Sequence, residues 1–412
     1  MFKSLNGVSY PVSDIARAKE WYSGILGIKP AVDTPLIVVF RIGESSLMLV
    51  PSPEPQGLLR ENTIAYWDVD DADEAYNKLL EHGARKHTDV SISVGNNRIA
   101  RVYDPFGNIL GILSKPAGKN KSLRDKPSES ALTVAFCRAL SAHDDRPMYN
   151  SGDNLAEIFL NDDALKSLGN PDSRQWLLRN MMTPGVYEFF IARTKYFDTA
   201  FKEAINNNIN QVVFLGAGYD TRAIRMSDLL GKASVFEVDA PPTQQRKIEC
   251  LMKTNLLPNP NLVFVPMDFE NDTFSGVLEK AGYDFSAKSL FIWEGVTYYL
   301  DIESVVNTLN FVRDFSPSGS QIVFDYICEA PDILERYGVK VALDTMKTVY
   351  EAERAGFSIQ EGTAGKFLAE RGLKLIEHLS AEEIGRKYFS LPDGSQDAAI
   401  TAMFSFAKAE VL

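Results

Sequence analysis

Cysteine is scarce in this 412-residue chain. Cys137, Cys250 and Cys328 lie far apart and form no CxxC pair. That argues against a disulfide scaffold and a structural zinc site, and it fits a reducing cytoplasm. Long apolar runs are also lacking. No stretch approaches the roughly 18–20 consecutive apolar residues of a spanning helix. The start, MFKSLNGVSYPVSD, has no apolar centre of signal-peptide length. A membrane partner is therefore not expected, and a cytoplasmic location is. Basic residues are outnumbered, 43 against 55 acidic ones, for a formal net charge of −12. Nucleic acid and anionic membranes both favour a basic face, so neither is the expected partner. The apolar content is ordinary: 45% hydrophobic and 24% charged residues describe a globular chain. Its length suits two or three domains.

The strongest local signal is QVVFLGAGYDTRAIR, residues 211–225. Four apolar residues, Val212 to Leu215, stop at Gly216-Ala217-Gly218, and a helical pattern follows. A buried strand entering a glycine turn and then a helix presents backbone N–H groups to a ligand. Glycine lets that ligand approach bare backbone. Further apolar strands are predicted at residues 234–239, 261–265, 288–293 and 319–327, each followed by a helical pattern. After a helical insertion over about 332–355 come a strand at 373–377, a short helix and a last strand at 398–406. Helical patterns over 130–142, 154–161 and 174–206 precede all of these. The reading is an α/β fold: a doubly wound, Rossmann-like parallel sheet with a helical cap, its ligand at the C-terminal strand ends.

Those strand ends are acidic. The second closes on Glu237 and Asp239, spaced for a carboxylate that accepts both ribose hydroxyls. The third is followed by Asp268, where an adenine amino group could donate, and the fourth puts Glu294 beside Tyr298 and Tyr299. Any one of these acids could be a helix cap or a solvated loop residue. Three in succession, after GxG, point to a nucleoside. NAD is the competing occupant, but Thr221 stands where the third glycine of GxGxxG belongs, and Asp220 would repel a pyrophosphate. The phosphate-free S-adenosylmethionine fits better.

Residues 1–115 contain an internal repeat. Strands are predicted at 5–11, 36–42 and 46–50 around a helix over 14–26. The order recurs with a strand at 63–69, a helix over 71–82, and strands at 98–103 and 108–113. VSDIARA and VDDADEA superimpose at an offset of 57 residues, Asp14 on Asp71, which implies two copies of one α+β βαβββ unit. VSDIARAKEWYSGILGI and YDPFGNILGI resemble the glyoxalase/bleomycin-resistance/dioxygenase family, the vicinal oxygen chelate fold. The family's metal ligands would fall at Gly7, Ile64 and Gly111, none of which can ligate. His82 and His87 do not replace them. No metal is expected, and the domain reads as a binding, lid or homodimerisation module. Residues 116–130, PAGKNKSLRDKPSES, read as a solvated linker.

From residue 131 onward, ALTVAFCRA, IARTKYFD, VVFLGAGYDTRAIR, FEVDAPPTQQRK, MDF and WEGVTYYL resemble the leucine carboxyl methyltransferase-like family of S-adenosylmethionine-dependent O-methyltransferases. The resemblance implies that Arg193 pairs with the methionine carboxylate and that Gly216, Ala217 and Gly218 back the methionine. It implies Asp239, with Glu237 as second choice, on the ribose, Asp268 and Phe269 around the adenine, and Glu294 at the amino-acid end. The acceptor would be a hydroxyl or carboxylate of a small metabolite. A carboxylate needs no base, whereas a hydroxyl does. The candidates are Asp325, Tyr326, Tyr298, Tyr299 and His143, and the choice among them stays open. Two alternatives remain: methylation of a protein C-terminal carboxylate, or a non-catalytic resistance protein that binds its ligand in the N-terminal domain.

Overall fold

The computed structural model describes residues 7–34, 37–43, 45–51, 64–92, 98–114, 127–180, 182–183, 185–269, 271–343 and 356–412. Most of the expected linker (116–126), the edges of three expected strands (5–6, 36 and 63) and the later part of the insertion (344–355) lie outside the described residues. The chain divides into two compact units, residues 1–121 and 122–412.

The first unit carries two four-stranded sheets. Strands β1 (Gly7–Val12), β2 (Val32–Asp33), β3 (Val38–Ile42) and β4 (Ser45–Pro51) run in the order β1-β4-β3-β2. Strands β5 (Ala65–Asp68), β6 (Arg85–Ile92), β7 (Arg98–Tyr103) and β8 (Ile109–Ser114) repeat it as β5-β8-β7-β6. In each sheet the first strand pairs in parallel with the last. The repeat extends to the helix caps. Asp14 accepts the Arg17 N–H at 3.0 Å, and Asp71 accepts those of Asp73 and Glu74 at 2.8 and 3.0 Å. Both halves share one core, in which Tyr22, Phe40 and Val102 are buried. The YDPFGN turn has a structural cause. Asp104 is fully buried and accepts from the Tyr22 hydroxyl at 2.8 Å, from the N–H groups of Phe106 and Asn108, and from the Asn108 amide. Strand β6 has no counterpart in the sequence reading. RKHTDVSI lacks apolar alternation because it forms a sheet edge, where charge deters stray pairing.

The second unit is built on strands β9 (Gln211–Leu215), β10 (Ser234–Asp239), β11 (Leu262–Pro266), β12 (Ser289–Trp293), β13 (Gln321–Glu329), β14 (Ser358–Gln360), β15 (Leu373–Leu379) and β16 (Phe404–Val411). The order is β11-β10-β9-β12-β13-β16-β15, with β14 on β13. All five residues of β9 and of β12 are buried, as strands covered on both faces must be. Val212, Phe214, Ile292 and Val323 pack on one face with the helices Glu129–Ala142 and Val186–Asn206. Val213, Phe236, Phe291 and Phe324 pack on the other face. The chain reverses its winding between β9 and β12, so their C-terminal ends open a crevice.

Three expectations change. The sheet is mixed, because β16 runs antiparallel between β13 and β15, and it spans 404–411 rather than 398–406. A strand's own alternation does not encode its direction; the connection does. The single helix expected over 174–206 is two, Pro171–Asn180 and Val186–Asn206, parted where Gly185 takes φ +76°. The helix expected over 154–161 is a 3-10 turn, Ala156–Phe159, followed by a helix at Asp162–Gly169. Among the described residues no helix is long and apolar enough to cross a membrane.

Phe291 is fully buried at the middle of the sheet. Phe291→Ala should lower unfolding free energy by about 3–5 kcal/mol, read as a lower denaturant midpoint in urea titration.

Candidate functional site

The crevice begins where β9 ends. Gly216 has φ +79°, and a Cβ there would lie 2.7 Å from Val296 Cγ2. The turn folds back onto β10, with the N–H groups of Gly216 and Ala217 donating to the Val238 carbonyl at 2.9 and 3.0 Å. Gly218, also at positive φ, donates its N–H to Asp239 Oδ2, and Asp239 Oδ1 accepts from Ala240 N at 2.6 Å. Burial pushes the Asp239 carboxyl above its usual range, against the pull of those two N–H groups. Asp239 thus stands beside the glycine turn, as its spacing predicts. Glu237 does not. Its carboxylate is buried against Lys247 Nζ at 2.5 Å, and desolvation raises its pKa to about 7 despite that partner. Glu237, the second choice for the ribose, is committed to this ion pair. Beyond β11, Asp268 accepts from the Asn271 amide at 2.6 Å. Phe269 is half exposed, with its ring against Phe274.

On the other side of the turn lies a buried charge network. Arg193, 2% exposed, is carried in by the helix Val186–Asn206. Its Nη1 donates to Asp325 Oδ2 at 2.9 Å and to the Tyr298 hydroxyl at 3.1 Å. Its Nε lies 3.1 Å from Glu294 Oε1 without an aligned hydrogen bond. Glu294 Oε2 accepts from Arg222 Nη1 at 2.8 Å, so this carboxylate bridges two arginines. Arg222 also binds Asp220 and, at 2.8 Å, Asp198, which holds Arg225 through two further bonds. Asp153, fully buried, accepts from Thr221 at 2.8 Å and lies 3.4 Å from Arg138 Nε. Asp325 Oδ1 accepts from Gly295 N at 2.6 Å. Burial pushes the Asp325 carboxyl up, and Arg193 pulls it back.

The catalytic candidates divide. Asp325, Tyr298 and Tyr299 meet at this cluster, the two tyrosine rings 4.8 Å apart. Burial, reinforced by Asp325, raises the Tyr298 phenol well above its ordinary value. Tyr326 does not join them. Successive strand residues point to opposite faces, and Tyr326 bonds His378 Nε2 at 2.8 Å among the core residues of the far side. His143 ends the helix Glu129–Ala142, pairs with Glu157 at 2.5 Å, and lines an open depression of about 760 Å³ with Asp144, Asn150 and Arg174. It is not part of the arginine network.

The sequence reading missed Arg138, Asp153, Asp198, Arg222 and Arg225. For all but Asp153 the signal lay inside quoted motifs, Arg138 in ALTVAFCRA. DTRAIR holds two arginines three residues apart, and IARTKYFD places Asp198 five residues after Arg193. Charged residues predicted inside helices are ordinarily taken for solvated ones.

In the first unit, a Cβ at Gly111 would fall 2.6 Å from the Tyr66 ring, whose hydroxyl accepts from Arg101 Nε at 2.6 Å. The position expected to carry a ligating glutamate is therefore covered by tyrosine. Among the described residues no His, Cys, Asp and Glu side chains gather as a metal-binding group.

Comparison with known proteins resolves the second unit. Residues 131–313 match the family model described as "Leucine carboxyl methyltransferase". A "Putative S-adenosyl-L-methionine-dependent methyltransferase" of Mycobacterium sp. (strain JLS) is 31% identical over 221 residues, 48% of this chain and 70% of that protein. The chain belongs to the leucine carboxyl methyltransferase family. It is an S-adenosylmethionine-dependent methyltransferase with an additional N-terminal domain. A relative from Bacillus subtilis (strain 168), "Putative S-adenosyl-L-methionine-dependent methyltransferase YktD", is 29% identical over 291 residues, 65% of this chain and 93% of its own. Residues 4–112 match the model "Glyoxalase/Bleomycin resistance protein/Dioxygenase superfamily". Among solved structures, a glyoxalase-related enzyme from Fulvimarina pelagi is 16% identical, covering 28% of this chain and 90% of its own with a TM-score of 0.25.

Arg138, Arg193, Arg222 and Arg225 face Asp153, Asp198, Asp220, Glu294 and Asp325, four cations against five anions.

Two substitutions test the local energetics. Lys247→Met should cost about 3–5 kcal/mol by leaving Glu237 buried and unpaired. Lys247→Met combined with Glu237→Leu should recover most of that loss, both read by thermal or urea unfolding. Gly216→Ala should lower stability by about 1–2 kcal/mol and be partly rescued by Val296→Ala, which removes the colliding methyl groups.

Proposed function

We propose that this methyltransferase transfers its methyl group to an oxygen, a hydroxyl or carboxylate, of a small metabolite. The observation that carries the reading is the buried arginine–carboxylate cluster beside the glycine turn. S-adenosylmethionine, when bound, supplies a methyl group already activated on sulfur, so the protein need only bind, orient and exclude water. In this reading Arg193 takes the methionine carboxylate as a charge-assisted fork. Glu294, the least buried acid of the network at 12% side-chain exposure, takes the ammonium. Arg222 keeps Glu294 aimed through its Nη1 bond at 2.8 Å. The turn at Gly216, Ala217 and Gly218 backs the methionine, Asp239 takes the ribose, and Asp268 and Phe269 frame the adenine. The half-exposed Phe269 ring has a free area suited to stacking.

A second reading, methylation of a protein's C-terminal carboxylate, is favoured by the description of the matching family model. It would require a groove open to polypeptide. The N-terminal unit, residues 1–115, is proposed as a metal-free accessory module, joined by a linker to the catalytic domain at 131–412.

Arg193→Ala should weaken S-adenosylmethionine binding about 10- to 150-fold, the worth of one charged hydrogen bond, in isothermal titration. Undiminished affinity would remove Arg193 from the site.

A further inference from the structure

This inference rests on the reading that Arg193 takes the methionine carboxylate, and it deepens that reading by assigning what holds Arg193 in place. A guanidinium has five N–H donors in one plane and grips a carboxylate along an edge where two of them run parallel. On Arg193 one nitrogen is already spent. Nη1 donates to Asp325 Oδ2 at 2.9 Å and to the Tyr298 hydroxyl at 3.1 Å, which uses both of its hydrogens. The Nε–Nη2 edge is left. Nε is buried without an aligned partner, and Nη2 donates to no described residue. Glu294 Oε1 lies beside that edge, 3.1 Å from Nε, while its other oxygen is held by Arg222. A two-donor edge with a carboxylate next to it matches the amino-acid end of the cofactor, whose own carboxylate and ammonium share one carbon.

Asp325 sets the attitude of this edge. Residues 322–326 of β13 are all buried, and Asp325 is the charged one among them. A charge inside a covered strand is costly unless it is well bonded. Asp325 is bonded on both sides: Oδ2 takes Arg193, and Oδ1 takes the Gly295 N–H at 2.6 Å. Gly295 directly follows Glu294 and has φ +73°, and a Cβ there would lie 3.0 Å from Arg193 Nη1 and 3.3 Å from Nη2. The Asp325 carbonyl also accepts from Thr297 Oγ1 at 2.5 Å. One residue thus ties both the guanidinium and the loop after Glu294 to the same strand. The Phe189 and Phe190 rings, whose centroids lie 5.4 and 5.1 Å from the guanidinium carbon, offer it no oxygen or nitrogen acceptor.

We infer that Asp325, seconded by Tyr298, is a positioning residue for the amino-acid end of the cofactor. It holds Nη1 so that the Nε–Nη2 edge and Glu294 stay side by side. Asp325 reaches the cofactor through Arg193 and Gly295 and does not touch it.

Isothermal titration of the full chain with three ligands tests this role. S-adenosylmethionine and S-adenosylhomocysteine both carry the amino-acid end, and 5′-methylthioadenosine lacks it. Asp325→Asn keeps the side chain's size but turns a donor toward Arg193 or Gly295. It should weaken S-adenosylhomocysteine at least about tenfold, the worth of one charged hydrogen bond, and change 5′-methylthioadenosine less than about twofold. Tyr298→Phe removes the other Nη1 partner and keeps the ring. It should weaken S-adenosylhomocysteine about 2- to 10-fold with the same selectivity, and it decides the question alone if Asp325→Asn does not fold. Equal loss of all three ligands would make the role merely structural and overturn the proposal. Loss confined to the positively charged S-adenosylmethionine, with zwitterionic S-adenosylhomocysteine bound as before, would make Asp325 a source of negative charge and overturn it as well. Arg193→Ala separates the two layers. If it leaves S-adenosylhomocysteine affinity intact, the reading of Arg193 falls and the positioning role with it. If it weakens that ligand while Asp325→Asn and Tyr298→Phe do not, only the positioning role falls.

Discussion

Four arginines lie together in this protein, three of them buried, and the carboxylates that face them hold the crevice beside the glycine turn in shape. Glu294 is the keystone, because its two oxygens reach guanidinium groups from different parts of the fold. Arg193 comes from the long helix on one face of the sheet, and Arg222 from the short helix that follows the glycine turn. Desolvating so many charges is costly unless every one is paired in good geometry. The network therefore fixes the relative placement of β9, β12, β13 and the cap helix more tightly than apolar packing would, since apolar contacts tolerate sliding and paired forks do not.

The same pairing has a chemical side. In the proposed reading these groups bind and orient the cofactor, which suits methyl transfer from a sulfonium, where the leaving group is already activated. The aromatic side chains that border the arginine cluster, Phe189, Tyr298 and Phe404, are themselves core residues.

Much of this was legible in the residues alone. The strand–glycine–helix pattern at 211–225 and the acids at successive strand ends located the crevice, because a covered parallel strand is uniformly apolar and its end is abrupt. The 57-residue repeat exposed the two-module first unit for a similar reason: duplicated caps, Asp14 and Asp71, are short-range features. What escaped was long-range. The antiparallel direction of β16 depends on a connection, and β6 is an edge strand whose charges mimic a loop. Glu237 and Asp239 are two residues apart on one strand, yet their partners differ, because Lys247 arrives on Glu237 from the next helix. Tyr326 was placed beside Asp325 by adjacency in sequence, which on a strand means the opposite face. The arginine–carboxylate network could not be read from any single segment, since its members meet only after folding.

The tyrosine lying over Gly111 couples two positions of the sheet. A glutamate introduced at that position would collide with the Tyr66 ring, itself anchored by Arg101. The ring would have to move before a longer side chain could enter, so the two positions, on neighbouring strands, can change only together.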